Sequence, residues 1–483
     1  MFQPLVTAMK NVYEFLKTAA KNHPERVAFD DSFSYTYQDA LTNVKAIACY
    51  LHNLGIKNER ILVNVGREAK TIILFLGIAL SGNCYVPGDE TYPEERKQDI
   101  ISIGEVRYGF DVDGLGNLSS NEALTTEIDE NVIAELESSF DENSPLCLLF
   151  TSGSTGKPKG VLKSHKNVIS FVENFLDTFH LNAGARICNQ TPFSFDASAK
   201  DIYLTLALGG TLFIPDKTKF ALPKIIVDYL NEKEVDTILW VPTALTSIAK
   251  TRTLNFVKPS FLKNVFFVGE VFPPKYLNMW LEAMPETRFV NLYGSTELAG
   301  VCLYFEVKKA MPIDQPLPTG KAISGNEVVL KDGEICVSSD QVASCYYGDE
   351  AKTNATFRIE DGKRYLHTGD YACYNEDGDI VFHARKDFQI KHSGYRIELQ
   401  DIEAALSSLD YLGDICCLYD ENRGKIVLFV TLSYEIENPS VRILADSREK
   451  LPYYMVPNVV KVLPSMPLNA NGKIDRVGLK NTL

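Results

Sequence analysis

An apolar run, Leu146-Cys147-Leu148-Leu149-Phe150, passes directly into Thr151-Ser152-Gly153-Ser154-Thr155-Gly156-Lys157-Pro158-Lys159-Gly160, and this junction constrains the fold more than any other stretch. A short apolar run bounded by turn residues reads as a buried strand. Beyond the loop, Val168, Val172, Phe175, Leu176 and Phe179 recur at helical spacing, so the glycine-rich segment lies between a strand and a helix. The glycines allow close backbone approach and positive φ, the hydroxyls supply donors, and Lys157 and Lys159 supply positive charge, which together suit a phosphate group. The pattern GxxxxGK[ST] is not met, because Thr151 stands where its first glycine belongs and Pro158 follows Lys157. A flexible Ser/Gly surface turn is the lesser alternative for the loop taken alone.

Strand candidates alternate with amphipathic segments elsewhere too, as in Ile61 to Val65 before Ala69 to Leu80, and Thr237 to Val241 before Ala244 to Ala249. That alternation predicts α/β layers with mainly parallel sheets. With 483 residues the chain exceeds one ordinary core, so at least two domains are expected. The stretch from Leu115 to Ser144 is polar and acidic and reads as a mobile surface connection. From about Gln341 strands shorten, and Asn375 to Gly378 reads as a hairpin turn between Tyr371 to Tyr374 and Ile380 to Phe382.

A net charge of -14 argues against nucleic acid or an anionic membrane as a partner. The N-terminus lacks the features of a secretory signal, and Thr71 to Leu80 is about half the length of a membrane span, so a cytoplasmic protein with a buried helix there is expected. The ten cysteines show no CxxC pair and read as reduced, mostly buried thiols.

Further motifs accompany the loop: Tyr85-Val86-Pro87, Phe195-Asp196-Ala197-Ser198, Asn291-Leu292-Tyr293-Gly294-Ser295-Thr296-Glu297, His367-Thr368-Gly369-Asp370, Arg385-Lys386-Asp387-Phe388-Gln389-Ile390-Lys391 and Asn471-Gly472-Lys473-Ile474-Asp475-Arg476. In order and spacing the sequence resembles the adenylate-forming superfamily of acyl-CoA synthetases, luciferases and amino-acid adenylation domains over nearly its whole length. The resemblance implies a large N-terminal domain over residues 1–385 and a small mobile α+β lid over 386–483, with Asp387 at the hinge and Gly394 serving the later half-reaction. It implies ATP as substrate and Mg2+ as cofactor. Thr151, Ser152, Gly153, Ser154, Thr155 and Lys159 would cradle the β- and γ-phosphates. Glu297 would be the magnesium-associated carboxylate, Thr296 the hydroxyl beside the α-phosphate, and Lys473 the mobile lysine that meets developing charge. Tyr293 would line the adenine pocket, and Asp370 with Arg385 would hold the ribose. A helix cap at Ser295 or Thr296 is the alternative for that segment.

The segment around Asp196 resembles the amino-acid branch, including nonribosomal peptide synthetase domains and stand-alone D-alanine:carrier-protein ligases, in which this carboxylate meets the substrate α-ammonium. Its alternative is an N-cap of a helix starting near Ala197. By offset from the motifs, Ala197, Lys200, Leu239, Phe266, Val268, Leu292, Gly300 and Val301 would surround the substrate side chain. Lys200 either reads a side-chain carboxylate or forms an i,i+4 pair with Asp196. The expected activity is formation of an aminoacyl-AMP with release of pyrophosphate, then transfer to the phosphopantetheine of a separate carrier protein, since the chain ends soon after Lys473. An acyl- or aryl-CoA ligase is the alternative enzyme, and an inactive nucleotide-binding scaffold the alternative of another class.

Overall fold

The computed structural model describes residues 9–152, 157–385, 389–421, 423–468 and 474–483. Hinge residue Asp387, loop residues Gly153, Ser154 and Thr155, and Lys473 lie outside the described residues. The chain forms two compact units, one of Met1–Asp89, Ile103–Leu149 and Gly160–Lys386, the other of Glu90–Ser102, Phe150–Lys159 and Asp387–Leu483.

In the first unit a nine-stranded sheet has a parallel centre, in the order Arg288–Tyr293, Asn264–Val268, Thr237–Trp240, Arg186–Cys188, Thr211–Phe213 and Val27–Asp30, with antiparallel strands at its edges. A seven-stranded sheet runs Cys345–Tyr346, Lys159–Ser164, Pro145–Thr151, Cys84–Gly88, Arg60–Asn64, Tyr108–Phe110 and Gly116–Leu118. Parallel strands are covered on both faces and therefore read as continuous apolar runs, as Leu146 to Phe150 does. The helix Ala69–Leu80 is buried at every position except Lys70, as expected for a helix apolar all round. Its first N–H is capped from a distance by Asp31 Oδ2 at 2.7 Å. Among the described residues no helix is long and apolar enough to cross a membrane.

A third sheet carries the predicted hairpin. Lys363–Tyr374 and Ile380–Arg385 pair antiparallel, and the Asn375 side chain accepts the N–H groups of Asp377 and Asp379 at 3.1 and 2.8 Å across the turn. The stretch from Leu115 to Ser144 is not a structureless connection. It holds the helices Ser120–Thr125 and Glu130–Ser138, because Ser119 and Asp129 act as N-caps and Ala123, Ile133 and Leu136 are buried. Polar composition concealed a three-residue apolar anchor.

The second unit contains the hairpin Gln389–His392 and Tyr395–Glu398, joined by Ser393 (φ 53°) and Gly394 (φ 84°). Positive φ at both central positions is the signature of a type I′ turn, which explains the glycine. A three-stranded sheet of Leu412–Asp420, Lys425–Leu432 and Val459–Val462 follows. It packs a small core of Cys416, Leu418, Val427, Phe429, Met466 and Leu479. Arg476 donates from Nη2 to both carboxylate oxygens of Glu403, at 2.7 and 2.6 Å, tying the last helix to Leu399–Leu406.

Candidate active site

In the first unit a cavity of about 20 Å3, room for one water, opens among Phe75, Tyr85, Lys163, Phe171, Phe193 and Asp196. Helix Ala69–Leu80 supplies Phe75, whose ring stacks on Tyr85 at 4.2 Å. Tyr85 and Tyr203 join their hydroxyls at 3.0 Å, so both phenols are satisfied within an apolar wall. Gly300, with φ 106°, stands on the opposite side, where an added Cβ would lie 2.3 Å from Phe171 Cδ2. Only glycine permits that backbone conformation and that approach together.

Asp196 immediately precedes the helix Ala197–Ala207 but makes no side-chain cap bond, and its backbone is already helical at φ -50° and ψ -37°. The capping alternative is therefore not what the structure contains. Its carboxylate instead accepts from the ammonium of Lys163, a residue of the strand Lys159–Ser164 that is 1% exposed. Lys200 is likewise buried and lines the same cavity. Behind it, Asp201 Oδ2 accepts from Asn189 Nδ2 at 2.8 Å. Burial pushes the Asp201 carboxyl up to about 7, against the lowering influence of Lys200 and Arg67. Cys147, also on the cavity, is pushed up to about 11 by burial and stays a thiol.

The segment after strand Arg288–Tyr293 doubles back tightly: a Cβ on Gly294 would meet the Gly300 carbonyl oxygen at 2.2 Å. No helix follows Ser295 or Thr296, so neither caps one. Glu297 is 3% exposed and accepts from the Tyr346 hydroxyl at 2.6 Å. The buried Ser295 hydroxyl has no partner among the described residues. A buried carboxylate beside an unsatisfied hydroxyl is a donor set that fits a hard cation and phosphate oxygens.

Asp370 and Arg385 stand directly opposite on paired strands, with Arg385 Nη1 donating to Asp370 Oδ1 at 2.6 Å. Tyr293 donates its hydroxyl to the other oxygen. Burial, reinforced by the charge of Asp370, holds the Tyr293 phenol well above its usual range, so it remains a donor. Each carboxylate oxygen retains a second lone pair for a further hydroxyl. His367, in the same strand, donates or accepts at both ring nitrogens, Nδ1 with Glu334 at 3.1 Å and Nε2 with Glu360 at 2.9 Å. That pairing fastens the strand just before Thr368, Gly369 and Asp370.

In the second unit Ser152 donates to the Arg396 carbonyl at 3.1 Å and accepts from the Glu398 N–H at 3.2 Å. Lys159 Nζ lies 3.2 Å from Glu398 Oε1, with only 12% and 3% of the two side chains exposed. The Thr151 hydroxyl is buried without a partner among the described residues, as a group awaiting an oxygen-rich ligand would be.

Of the residues expected around the substrate side chain, Lys200 and Gly300 line the cavity, together with Asp196, expected at the α-ammonium. Leu239, Phe266, Val268, Leu292 and Val301 belong to the main hydrophobic core and are not among its lining residues. Phe266 packs against Phe175 and Phe179 at 5.2 and 5.0 Å, so an aromatic ridge occupies the space beside it. Ala197 is half-buried in the first turn of its helix. Sequence reasoning missed Lys163 and Phe171. The signal for Lys163 was a lysine two residues beyond Val161 on the same strand face, where a hydrocarbon is the expected neighbour.

The AMP-binding enzyme family model matches residues 16–347. The chain belongs to this family. It is an adenylate-forming ligase with the mixed α/β fold, a large N-terminal domain and a small C-terminal one. It is 30% identical to the D-alanine–D-alanyl carrier protein ligase of Staphylococcus haemolyticus (strain JCSC1435), over 97% of this chain and 98% of that protein. The Vibrio cholerae adenylation domain AlmE, solved with glycyl-adenosine-5'-phosphate, superposes with TM-score 0.82 and 20% identity, covering 100% of this chain and 98% of that one. An artificially fused adenylation-PCP di-domain from Klebsiella oxytoca gives TM-score 0.81 and 20% identity over 94% of each chain.

Proposed function

We propose that this ligase activates an amino acid with ATP, forming aminoacyl-AMP and pyrophosphate, and passes the acyl group to the phosphopantetheine thiol of a separate carrier protein in the cytoplasm. The observation that carries the reading is Asp196, a carboxylate with no capping duty placed on a small cavity whose other walls are mostly apolar. Such a group suits a substrate that bears an ammonium, which can take the place of Lys163 on it, better than a fatty acid, which brings no cation. The carrier step draws on the named activity of the staphylococcal relative.

Under this reading Asp370, Arg385 and Tyr293 form the nucleoside side of the site, the carboxylate accepting ribose hydroxyls while Arg385 fixes its orientation. Thr151, Ser152 and Lys159, with Gly153, Ser154 and Thr155, take the terminal phosphates, and Thr296 the α-phosphate. Glu297 would hold Mg2+, which when bound would neutralise phosphate charge. Lys473 approaches the reacting carboxylate, and Asp387, between domains of residues 1–385 and 386–483, absorbs the lid rotation. No enzyme nucleophile is required, because positioning and electrostatic stabilisation lower the barrier.

An ATP–pyrophosphate exchange panel of D- and L-amino acids, aryl acids and fatty acids tests the first step. Loading of a holo-carrier tests the second. Exchange only with acids lacking an amino group, and transfer to free CoA, would identify an acyl- or aryl-CoA ligase instead.

A further inference from the structure

We propose that Lys163 is a specificity-determining residue of the acyl cavity, selecting amino acids whose side chain carries a second negative charge. The inference rests on the amino-acid reading and names the class within it. Lys163 projects from the strand beside the phosphate loop into a wall of Phe75, Tyr85, Phe171 and Phe193, and its ammonium sits on Asp196. This is the carboxylate assigned to the substrate α-ammonium, so an internal cation already holds the place the substrate needs.

Stability alone does not explain the pair. Replacing a buried ion pair by hydrocarbon of similar volume is often neutral or stabilising, and Val161 on the same strand face is such a hydrocarbon. The value of the pair therefore lies in what it does to a ligand. An incoming α-ammonium meets a second ammonium at close range in a site shielded from water, and like charges there repel strongly. The charged residues lining the cavity are Lys163, Lys200 and Asp196, so a substrate ammonium adds a third cation where the lining supplies one carboxylate. Burial lifts the neighbouring Asp201 carboxyl to about 7, which weakens it as a further counter-charge.

An anion on the substrate side chain removes the conflict by exchange of partners. The α-ammonium takes Asp196, and Lys163 swings on its flexible stem to the side-chain anion, with Lys200 on the same cavity wall. The same movement makes room, since Lys163 lines the cavity, whose volume of about 20 Å3 holds a water and no side chain. A neutral side chain offers Lys163 no replacement for Asp196 and leaves a buried cation unpaired.

The test is ATP–pyrophosphate exchange with matched pairs, aspartate against asparagine and glutamate against glutamine, in both configurations, with succinate and glutarate as acids lacking the amine. The native enzyme is expected to favour an acid over its amide by about 100-fold or more in kcat/KM. Lys163→Met should lower that ratio at least about tenfold, mainly through KM, while Lys163→Arg preserves its direction. A native preference for an amide or another neutral amino acid overturns the proposal, and that measurement depends on no variant folding. An unchanged ratio in Lys163→Met overturns it as well. Exchange with succinate, glutarate, aryl or fatty acids exceeding every amino acid would instead defeat the underlying amino-acid reading.

Discussion

Gly300→Ala is expected to damage the wall of the cavity beside Phe171 by two separable effects. The backbone at φ 106° is one that side-chain-bearing residues rarely adopt, which costs about 1–3 kcal/mol. The new Cβ would also lie 2.3, 2.6 and 2.8 Å from three atoms of the Phe171 ring, and overpacking of that kind costs about 1–3 kcal/mol. Phe171 is 2% exposed and packs on Phe175 at 5.6 Å, so the ring has little room to retreat. The sum is about 2–6 kcal/mol. Urea unfolding followed by tryptophan fluorescence measures it within the first unit, since the only two tryptophans, Trp240 and Trp280, are both fully buried there. Phe171→Leu in the same background shortens the offending ring. The double variant should therefore be more stable than the two single changes sum to, by about 1 kcal/mol or more. The backbone part of the loss should remain. A cost below about 1 kcal/mol for Gly300→Ala, or strict additivity in the double variant, would refute the steric argument.

Tyr293→Phe removes a hydrogen bond to the buried carboxylate of Asp370 and should destabilise the protein by about 1–3 kcal/mol, while raising the KM for ATP in the exchange assay. Glu398→Gln breaks the largely buried pair with Lys159; unfolding of the variant should occur about 1–3 kcal/mol earlier, and ATP titration should show tighter binding because the lysine no longer has a competing carboxylate. Two buried groups set opposing pH slopes. His165 is held down to about 3 by burial, so the unfolded chain binds the extra proton and stability is lost as pH falls from about 6.5 toward 3. Asp201 is pushed up to about 7, so the folded chain binds the extra proton and stability is lost as pH rises from about 4 to 7. Between pH 4 and 6 the two contributions cancel, and Asp201→Asn should uncover the His165 slope, a relative loss of about 1.4 kcal/mol per pH unit on acidification, read from urea midpoints across that range.

The elements legible in the sequence were those whose pattern is local. The helix Ala69–Leu80 and the Asn375 hairpin turn were readable because continuous apolarity and an Asn/Asp/Gly cluster report directly on burial and turn geometry. The helices within residues 115–144 were not, because their stability comes from two cap residues and a few buried side chains rather than from a strong period. Motif residues such as Asp370 and Arg385 could be paired on paper, and the strand register sets them opposite each other. Lys163 could not be matched to Asp196, since a contact between residues 33 apart depends on where a strand and a helix N-terminus meet. That five of the residues named by offset pack in the core, outside the cavity lining, has one cause. Offset from a motif locates a residue along its strand, and the bulk of Phe171, Phe175 and Phe179 decides whether that position faces a space or a neighbour.

The parallel pairing of Val27–Asp30 with Thr211–Phe213 has a consequence during protein synthesis. The N-terminal strand leaves the ribosome roughly 180 residues before its partner, which at about 5–20 residues per second is an interval of roughly 9–36 seconds. Throughout that time Ala28 and Phe29, both 0% exposed in the finished sheet, have only Ser34–Thr36 to pair with. A nascent chain halted before Thr211 should therefore be held by chaperones that one halted after Phe213 releases.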